Sequence, residues 1–253
     1  MSMPDPIQRF TNRVENYVKY RPGYPAEVFG FFRHELGLTP DSVVADVGSG
    51  TGILTRIFLE NGNTVFAVEP NDAMRAAAET AFESNVNFHS VTGTAEATGL
   101  DANSADIATA AQAFHWFEPE LSGREFRRIL KPGGSIALIW NERELDTTPF
   151  LRDYEKFLLE FADDYTSVRH ENINDATLRT FFEGGYDVKE FANEQVLDMD
   201  GLRGRTLSSS YVPAETSPRF AAMDKALVSV FAKHSENDRI KVLYRTKIYY
   251  KQV

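Results

Sequence analysis

The chain has 253 residues and no cysteine, which excludes disulfides, thiolate metal sites and a cysteine nucleophile together. It carries 27 lysines and arginines against 37 aspartates and glutamates, and a net charge of −10 argues against nucleic acid as a partner, because such a surface repels phosphate backbones. Hydrophobic residues at 42% and aromatics at 12% exclude a disordered chain, and the length suits one α/β unit with an elaborated cover.

The opening MSMPDPIQRF lacks the apolar stretch of a secretory leader. No run approaches the ~18 apolar residues of a membrane span. A cytoplasmic protein without membrane contact is expected. VVADV (43–47) reads as a buried strand ending at Gly48, and residues 51–61 as a helix with Ile53, Leu54, Ile57 and Phe58 on one face. TVFAVE (64–69) is a second strand, and Asn71 is a good cap for a helix through DAMRAAAETAF. VNFHSV (86–91) and ADIATAA (105–111) are the third and fourth strands. Residues 120–130 read as helix, and the turn KPGG (131–134) leads into a fifth strand, SIALIW (135–140). Strands alternating with helices predict βαβ units and a parallel sheet covered on both faces.

The alternation stops there. Residues 148–183 look helical and amphipathic, 186–196 a strand, 199–213 irregular and 216–234 a long helix. In the last stretch Ile240, Val242, Tyr244, Thr246, Ile248 and Tyr250 share one face at the strand period. Residues 239–253 hold five basic residues and no acidic one, read as the solvated face of a strand rather than a nucleic-acid patch.

The most informative segment is VVADVGSGTGILT (43–55). Glycines between a buried strand and a helix allow a tight turn and close approach of a ligand to the helix N-terminus. Glu69 lies 21 residues after Gly48, where an acidic side chain can accept hydrogen bonds from ribose hydroxyls; its other reading is a cap before Pro70. A dinucleotide fingerprint needs a third glycine at 53, which is Ile53, and Asp46 would repel a pyrophosphate. A ligand carrying an ammonium and a sulfonium suits the site better.

DVGSGTG followed by VEP–NDAM and LKPGG resembles the class I S-adenosylmethionine methyltransferases, and within them the type 11 group that includes trans-aconitate methyltransferases. The resemblance implies a Rossmann-like, doubly wound, mostly parallel seven-stranded sheet with an antiparallel last strand and a helical cover after the fifth. It implies one domain: a helical cap (1–40), a cofactor core (41–140), an acceptor-site cover with the last helix (141–238) and a final strand (239–253). S-adenosylmethionine would be the cofactor and a small molecule the acceptor, with no metal, in a monomer or homodimer. Gly48, Ser49, Gly50 and Gly52 would border the methionine part, with Asp46 near its ammonium. Glu69 would bind the ribose, and Pro70 and Met74 would pack on the adenine. GTAEA (93–97) supplies adenine-edge contacts; many relatives carry Asp at Thr94, so the contact passes to Glu96 or to backbone such as the Ala95 N–H. Glu96 also reads as a solvated residue at a helix start. In YVKYRPGYP (17–25), Tyr20 would fold over the cofactor and Arg21 reach its carboxylate, or Tyr20 is simply packed at a helix end.

Acceptor-side candidates follow the fourth strand in AQAFHWF (111–117), since ligands bind outside the carboxyl ends of parallel strands. Gln112 would touch the methionine part. His115 offers a general base or a hydrogen-bond donor, and equally a cap for the next helix near Glu118. Trp116 walls the pocket or joins the core. Trp140 and Asn141, at the end of the fifth strand, and Tyr211, in SSSYVP (208–213), are further candidates; the last segment also reads as a surface loop. An acidic acceptor would call for Arg143, Arg203 or Arg205 nearby. Rival readings are a nicotinamide-dependent oxidoreductase and a catalytically silent cofactor-binding protein.

Overall fold

A computed structural model describes residues 14–163, 165 and 174–253. Residues 1–13 of the expected cap, and 164 and 166–173 of the stretch expected to be helical, lie outside the described residues.

Runs of valine, isoleucine and alanine make strands buried on both faces, as parallel sheets require. They are β1 (Val43–Val47), β2 (Thr64–Val68), β3 (Phe88–Val91), β4 (Ala105–Ala111) and β5 (Leu130–Arg143). Two more, β6 (Asp187–Leu197) and β7 (Ile240–Gln252), complete a sheet in the order β3-β2-β1-β4-β5-β7-β6. The first five pair in parallel, with Val44 beside Val65 and Ile107. β7 runs antiparallel between β5 and β6, Ile139 facing Ile248 and Gln195 facing Val242. The predicted reversed last strand is therefore present, and its pairing continues beyond Trp140 to Arg143. Its inward residues from Ile240 to Ile248 are buried. Its basic face is answered by neighbouring strands: Lys241 by Glu194, Arg245 by Glu190 and Lys247 by Glu142.

The helices are α1 (Val14–Tyr20), α2 (Ala26–His34), α3 (Ile53–Glu60), α4 (Asp72–Phe82), α5 (Pro119–Ile129), α6 (Pro149–Phe161), α7 (Asp175–Phe182), α8 (Met199–Leu207) and α9 (Phe220–His234). One sheet face buries Phe126 of α5 and Phe181 of α7. The other buries Phe32 of α2 and Phe58 of α3. A third cluster lies under the cover, where Tyr154 of α6, Leu202 of α8 and Leu227 of α9 meet Tyr244. None of the described helices is long and apolar enough to cross a membrane.

Two expectations are corrected. Residues 199–207 are helical, not irregular: α8 is buried on most sides, from Gly201 and Leu202 through Gly204 to Leu207, so it has no polar stripe against which an apolar period could show. KPGG does not stand before the strand but within it; the register slips between the Ala105–Leu130 and Ile107–Ser135 pairs, and Gly133 takes φ +79° there.

Candidate active site

β1, β2, β4 and β5 open at one sheet edge, and the loop after β1 sets the floor of a cleft there. Gly48 and Gly52 adopt φ +69° and +82°, which side chains rarely tolerate. A Cβ on Gly48 would lie 2.7 Å from the Ala113 Cβ, and one on Gly52 would lie 2.4 Å from the Phe82 ring. A Cβ on Gly50 would meet nothing within 4 Å. Gly48 and Gly50 thus border the cleft. Gly52 does not; it starts α3 and packs on α4, a correction to its expected role.

The cleft has two adjoining cavities. The first, of about 320 Å³, is lined by Glu69, Pro70, Met74, Thr94, Ala95 and Glu96, all six expected there. Glu69 is 8% exposed. Its carboxylate accepts the Gly50 N–H at 2.9 Å and the Asn71 N–H at 2.8 Å, which ties the glycine loop to the tip of β2. Burial pushes its pKa up, and the two backbone bonds oppose the rise. Asn71 caps α4 by accepting the Met74 N–H at 2.9 Å, as expected. Glu96 accepts the Glu118 N–H at 2.9 Å, so it belongs both to the cavity wall and to the start of α5.

The second cavity, of about 190 Å³, shares Tyr17, Gly48, Gly50, Gln112 and Trp116 with the first. Gln112 holds φ +56°, a strained backbone that clusters at functional sites and costs on the order of 1 kcal/mol or more. Its N–H donates to the Ile139 carbonyl at 2.9 Å, which fixes the strained residue to β5. A short turn, Phe114–Trp116, follows. Phe114 is buried against Phe181 at 4.8 Å between ring centroids, and the turn presents the next two residues to the cleft. His115 borders the second cavity and Trp116 borders both, with their ring centroids 4.6 Å apart. Glu118 caps α5 with its own carboxylate, accepting the Leu121 N–H at 2.7 Å, so the cap once open to His115 is supplied otherwise.

α1 delivers Tyr17 and Arg21 to the cleft, one helical turn apart, with the guanidinium 4.8 Å from the Tyr17 ring centroid. Tyr20 is on another side of the helix. It packs on α8, where a Cβ on Gly204 would fall 2.1 Å from its ring, so Tyr17 takes the wall position expected of Tyr20. The helical period of Tyr17 and Arg21 was the available signal. Arg21 donates to the Ser208 carbonyl at 3.0 Å, and its Nε has no partner among the described residues.

The far wall of the second cavity comes from the cover. Tyr211 is there, as expected, with its ring 5.0 Å from that of Tyr165. Arg143 and Arg205 also line it. Arg203 does not; it is held by Asp224 at 2.6 Å and Asp200 at 3.0 Å. Trp140 is not a wall residue either. It is 1% exposed, edge-on to Phe114 and Tyr249, because strand alternation turns it to the α5–α7 face and leaves Asn141 on the cleft. Asp46 is wholly buried and off the cavity walls, one layer below the loop. Its Oδ2 accepts from the Thr55 hydroxyl at 2.6 Å, and its Oδ1 has no partner among the described residues. Burial pushes the Asp46 pKa up to about 7 against the Thr55 bonds, and the charge of Glu69 adds to the rise.

Comparison with known proteins gives the kind of domain and fold this chain resembles. Residues 45–138 match the family described as the methyltransferase domain. An uncharacterized methyltransferase-like protein of Schizosaccharomyces pombe is 27% identical over 247 residues, 95% of this chain and 93% of that one. An uncharacterized methyltransferase of Mycobacterium tuberculosis is 38% identical over 137 residues, 53% of each chain, so this match spans about half the relative's length. A solved structure from Anaeromyxobacter dehalogenans, provisionally named a type II methyltransferase, has the same fold, with a TM-score of 0.67 at 23% identity over 92% of this chain and 98% of that one. The part of the chain from β1 into β5 thus matches a methyltransferase domain, and the seven-stranded sheet around it has the fold of a methyltransferase structure.

Proposed function

We propose that the chain moves a methyl group from S-adenosylmethionine to a small organic acceptor held in the second cavity. The observation that carries this reading is the buried Glu69 carboxylate at the tip of β2, on the wall of a cavity continuous with one bordered by Gly50, Gln112 and His115. The residues fit the cofactor. Glu69 would take the ribose hydroxyls, Pro70 and Met74 the adenine face, and Thr94, Ala95 and Glu96 the adenine edge. The Ser49 hydroxyl, the Arg21 Nε and the Asp46 oxygen below, unpartnered among the described residues, match a zwitterionic methionine tail. An ionised Asp46 would favour its ammonium from beneath the loop. Ile53 opens α3 where a dinucleotide loop needs glycine, which disfavours a nicotinamide cofactor.

The cofactor supplies a methyl already activated on a sulfonium, so in-line displacement needs alignment above all. Trp116, common to both cavities, would set that line and offer its ring face to the cation. Held by Glu69, Pro70 and Met74, the cofactor would give that methyl carbon to the acceptor atom, with the electron pair of the carbon–sulfur bond kept by sulfur. His115 takes the proton an uncharged hydroxyl or amine acceptor would lose. Tyr211 and Tyr165 close the cavity from the cover, and one folded unit contains every part.

Two results test the cofactor reading. S-adenosylhomocysteine at a hundred times its Kd is expected to stabilise the fold by about 2.7 kcal/mol. That raises Tm by roughly 5–10 °C, and NADH is expected to leave Tm unchanged. The reverse pattern would identify an oxidoreductase. Glu69→Ala is expected to weaken S-adenosylhomocysteine binding by about 1.5–3 kcal/mol, the worth of hydrogen bonds to a charged group. Glu69→Gln should recover part of that, because it still accepts the Gly50 N–H. Unchanged calorimetric affinity in the alanine variant would remove Glu69 from the site.

A further inference from the structure

The cover brings a cation into the second cavity that no described residue on its wall neutralises. Arg205 is on α8 and 8% exposed. Its partners are neutral hydroxyls: Nε donates to the Tyr244 oxygen at 3.1 Å and one terminal nitrogen to the Ser209 oxygen at 3.2 Å. The other arginine that the cover's side gives to this wall, Arg143, is satisfied by Glu155 and by the Tyr165 hydroxyl at 2.7 Å, and Arg21 comes from α1. Among the described residues, no carboxylate pairs with Arg205 or Arg21. The two unpaired guanidiniums are close enough to act on each other: burial first, then the Arg205 charge, holds Arg21 below its ordinary pKa. A buried charge without a partner costs several kcal/mol, so two of them on one cavity call for two anionic groups. Under the proposed function the cofactor's carboxylate accounts for Arg21 and leaves Arg205 over.

We propose that Arg205 is the anchor for the acceptor, and that the acceptor is a small carboxylic acid whose carboxylate it binds. This rests on the cofactor reading above. The anchored carboxylate is not the methylated atom, because an ion-paired oxygen is a poor nucleophile. The atom that receives the methyl belongs to the other end of the acceptor, toward His115 and Trp116. One free guanidinium flanked by hydroxyls matches a singly charged carboxylate better than a phosphate dianion. Tyr165 and Tyr211 accommodate an apolar body between the two ends.

The probes are acetate, benzoate and 3-phenylpropionate, each beside its amide, with inorganic phosphate as the other anion. They are added to the full chain saturated with S-adenosylhomocysteine, and Tm and calorimetric affinity are read. At least one carboxylate is expected to raise Tm while its amide does not. Arg205→Met is expected to lose that affinity tenfold or more, to keep S-adenosylhomocysteine binding within twofold, and to melt no lower than the parent, since it removes an uncompensated charge. Arg205→Lys should retain part of the carboxylate affinity, and Arg21→Met should lose S-adenosylhomocysteine instead. No carboxylate outdoing its amide, or phosphate protecting more than every carboxylate, overturns the proposal. So does a loss of S-adenosylhomocysteine affinity in Arg205→Met equal to that in Arg21→Met. Failure of the parent to bind S-adenosylhomocysteine at all would overturn the cofactor reading, and this proposal with it.

Discussion

His115→Ala is expected to lower turnover by 10²–10⁴, the usual worth of a positioned general base, while S-adenosylhomocysteine affinity and Tm stay close to the parent values. At 1.36 kcal/mol per decade this is about 3–5 kcal/mol of transition-state stabilisation. The separation of effects follows from the geometry. His115 borders the second cavity and not the first, so its loss leaves the Glu69 end of the cleft intact. The turn that carries it is anchored by Phe114 in the core, and α5 is capped by Glu118. Trp116→Ala is the contrasting variant. It borders both cavities and should lose cofactor affinity and turnover together. The measurement needs an acceptor, found by screening metabolite pools for S-adenosylhomocysteine formation. It then compares rate per folded molecule with Tm on the same preparations. A lower Tm with unchanged rate per folded molecule would make His115 structural and pass the base role to Tyr211 or Tyr165.

The parts of this molecule that could be read from sequence are those whose local physics admits one solution. β1, β2 and β4 are near-continuous apolar runs because both faces of a parallel strand are buried, and such runs bounded by glycine or an N-cap leave little choice. The Glu69 end of the site was legible for the same reason. A residue at a strand tip, a fixed distance beyond a glycine loop, has its position set by the βαβ unit alone. β7 showed itself because one face is buried and the other ionic, which prints a clean period of two.

The acceptor side resisted for the opposite reason: each residue's role there depends on phase between elements. Trp140 and Asn141 are consecutive at the end of one strand, and only the facing of β5 against α5 and α7 decides which meets the cleft. Tyr17 and Tyr20 are three apart on α1, and the close approach of α8 at Gly204 takes Tyr20 away. α8 itself hid because its burial is nearly all-round. Its arginines then sort by neighbours distant in the chain: Asp224 draws Arg203 outward, whereas Arg205 meets Tyr244 of β7 and stays on the cavity.

Asp46 stands at the junction of the two kinds of information, and its replacement tests both stability and binding. The unfolded carboxyl titrates at 3.8 and the native one at about 7. Between those values the native state keeps a proton that the unfolded state has lost, so rising pH costs the native state stability. At 1.36 kcal/mol per unit the loss reaches about 4 kcal/mol once pH exceeds the native value. An asparagine side chain in its place would be neutral throughout, and the amide oxygen can still accept the Thr55 hydroxyl. Asp46→Asn is therefore expected to match the parent near pH 4 and to exceed it increasingly toward pH 8, by as much as about 4 kcal/mol in urea unfolding. Cofactor binding should move the other way. An ammonium placed above the loop favours the ionised carboxylate, so binding near pH 6 to the parent should release a proton, and parent affinity should rise as pH climbs toward 7 and level off above it. The variant should bind tenfold or more weakly at pH 8, with affinity independent of pH over the same range. Calorimetry of S-adenosylhomocysteine in two buffers of different ionisation enthalpy reads the proton directly. A variant less stable than the parent at pH 8 would show that Asp46 is not a strained charge. Equal affinities would show that its charge does not serve the cofactor. The expected combination, a more stable fold that binds more weakly, would mark Asp46 as a residue kept at the expense of stability for what it does beneath the loop.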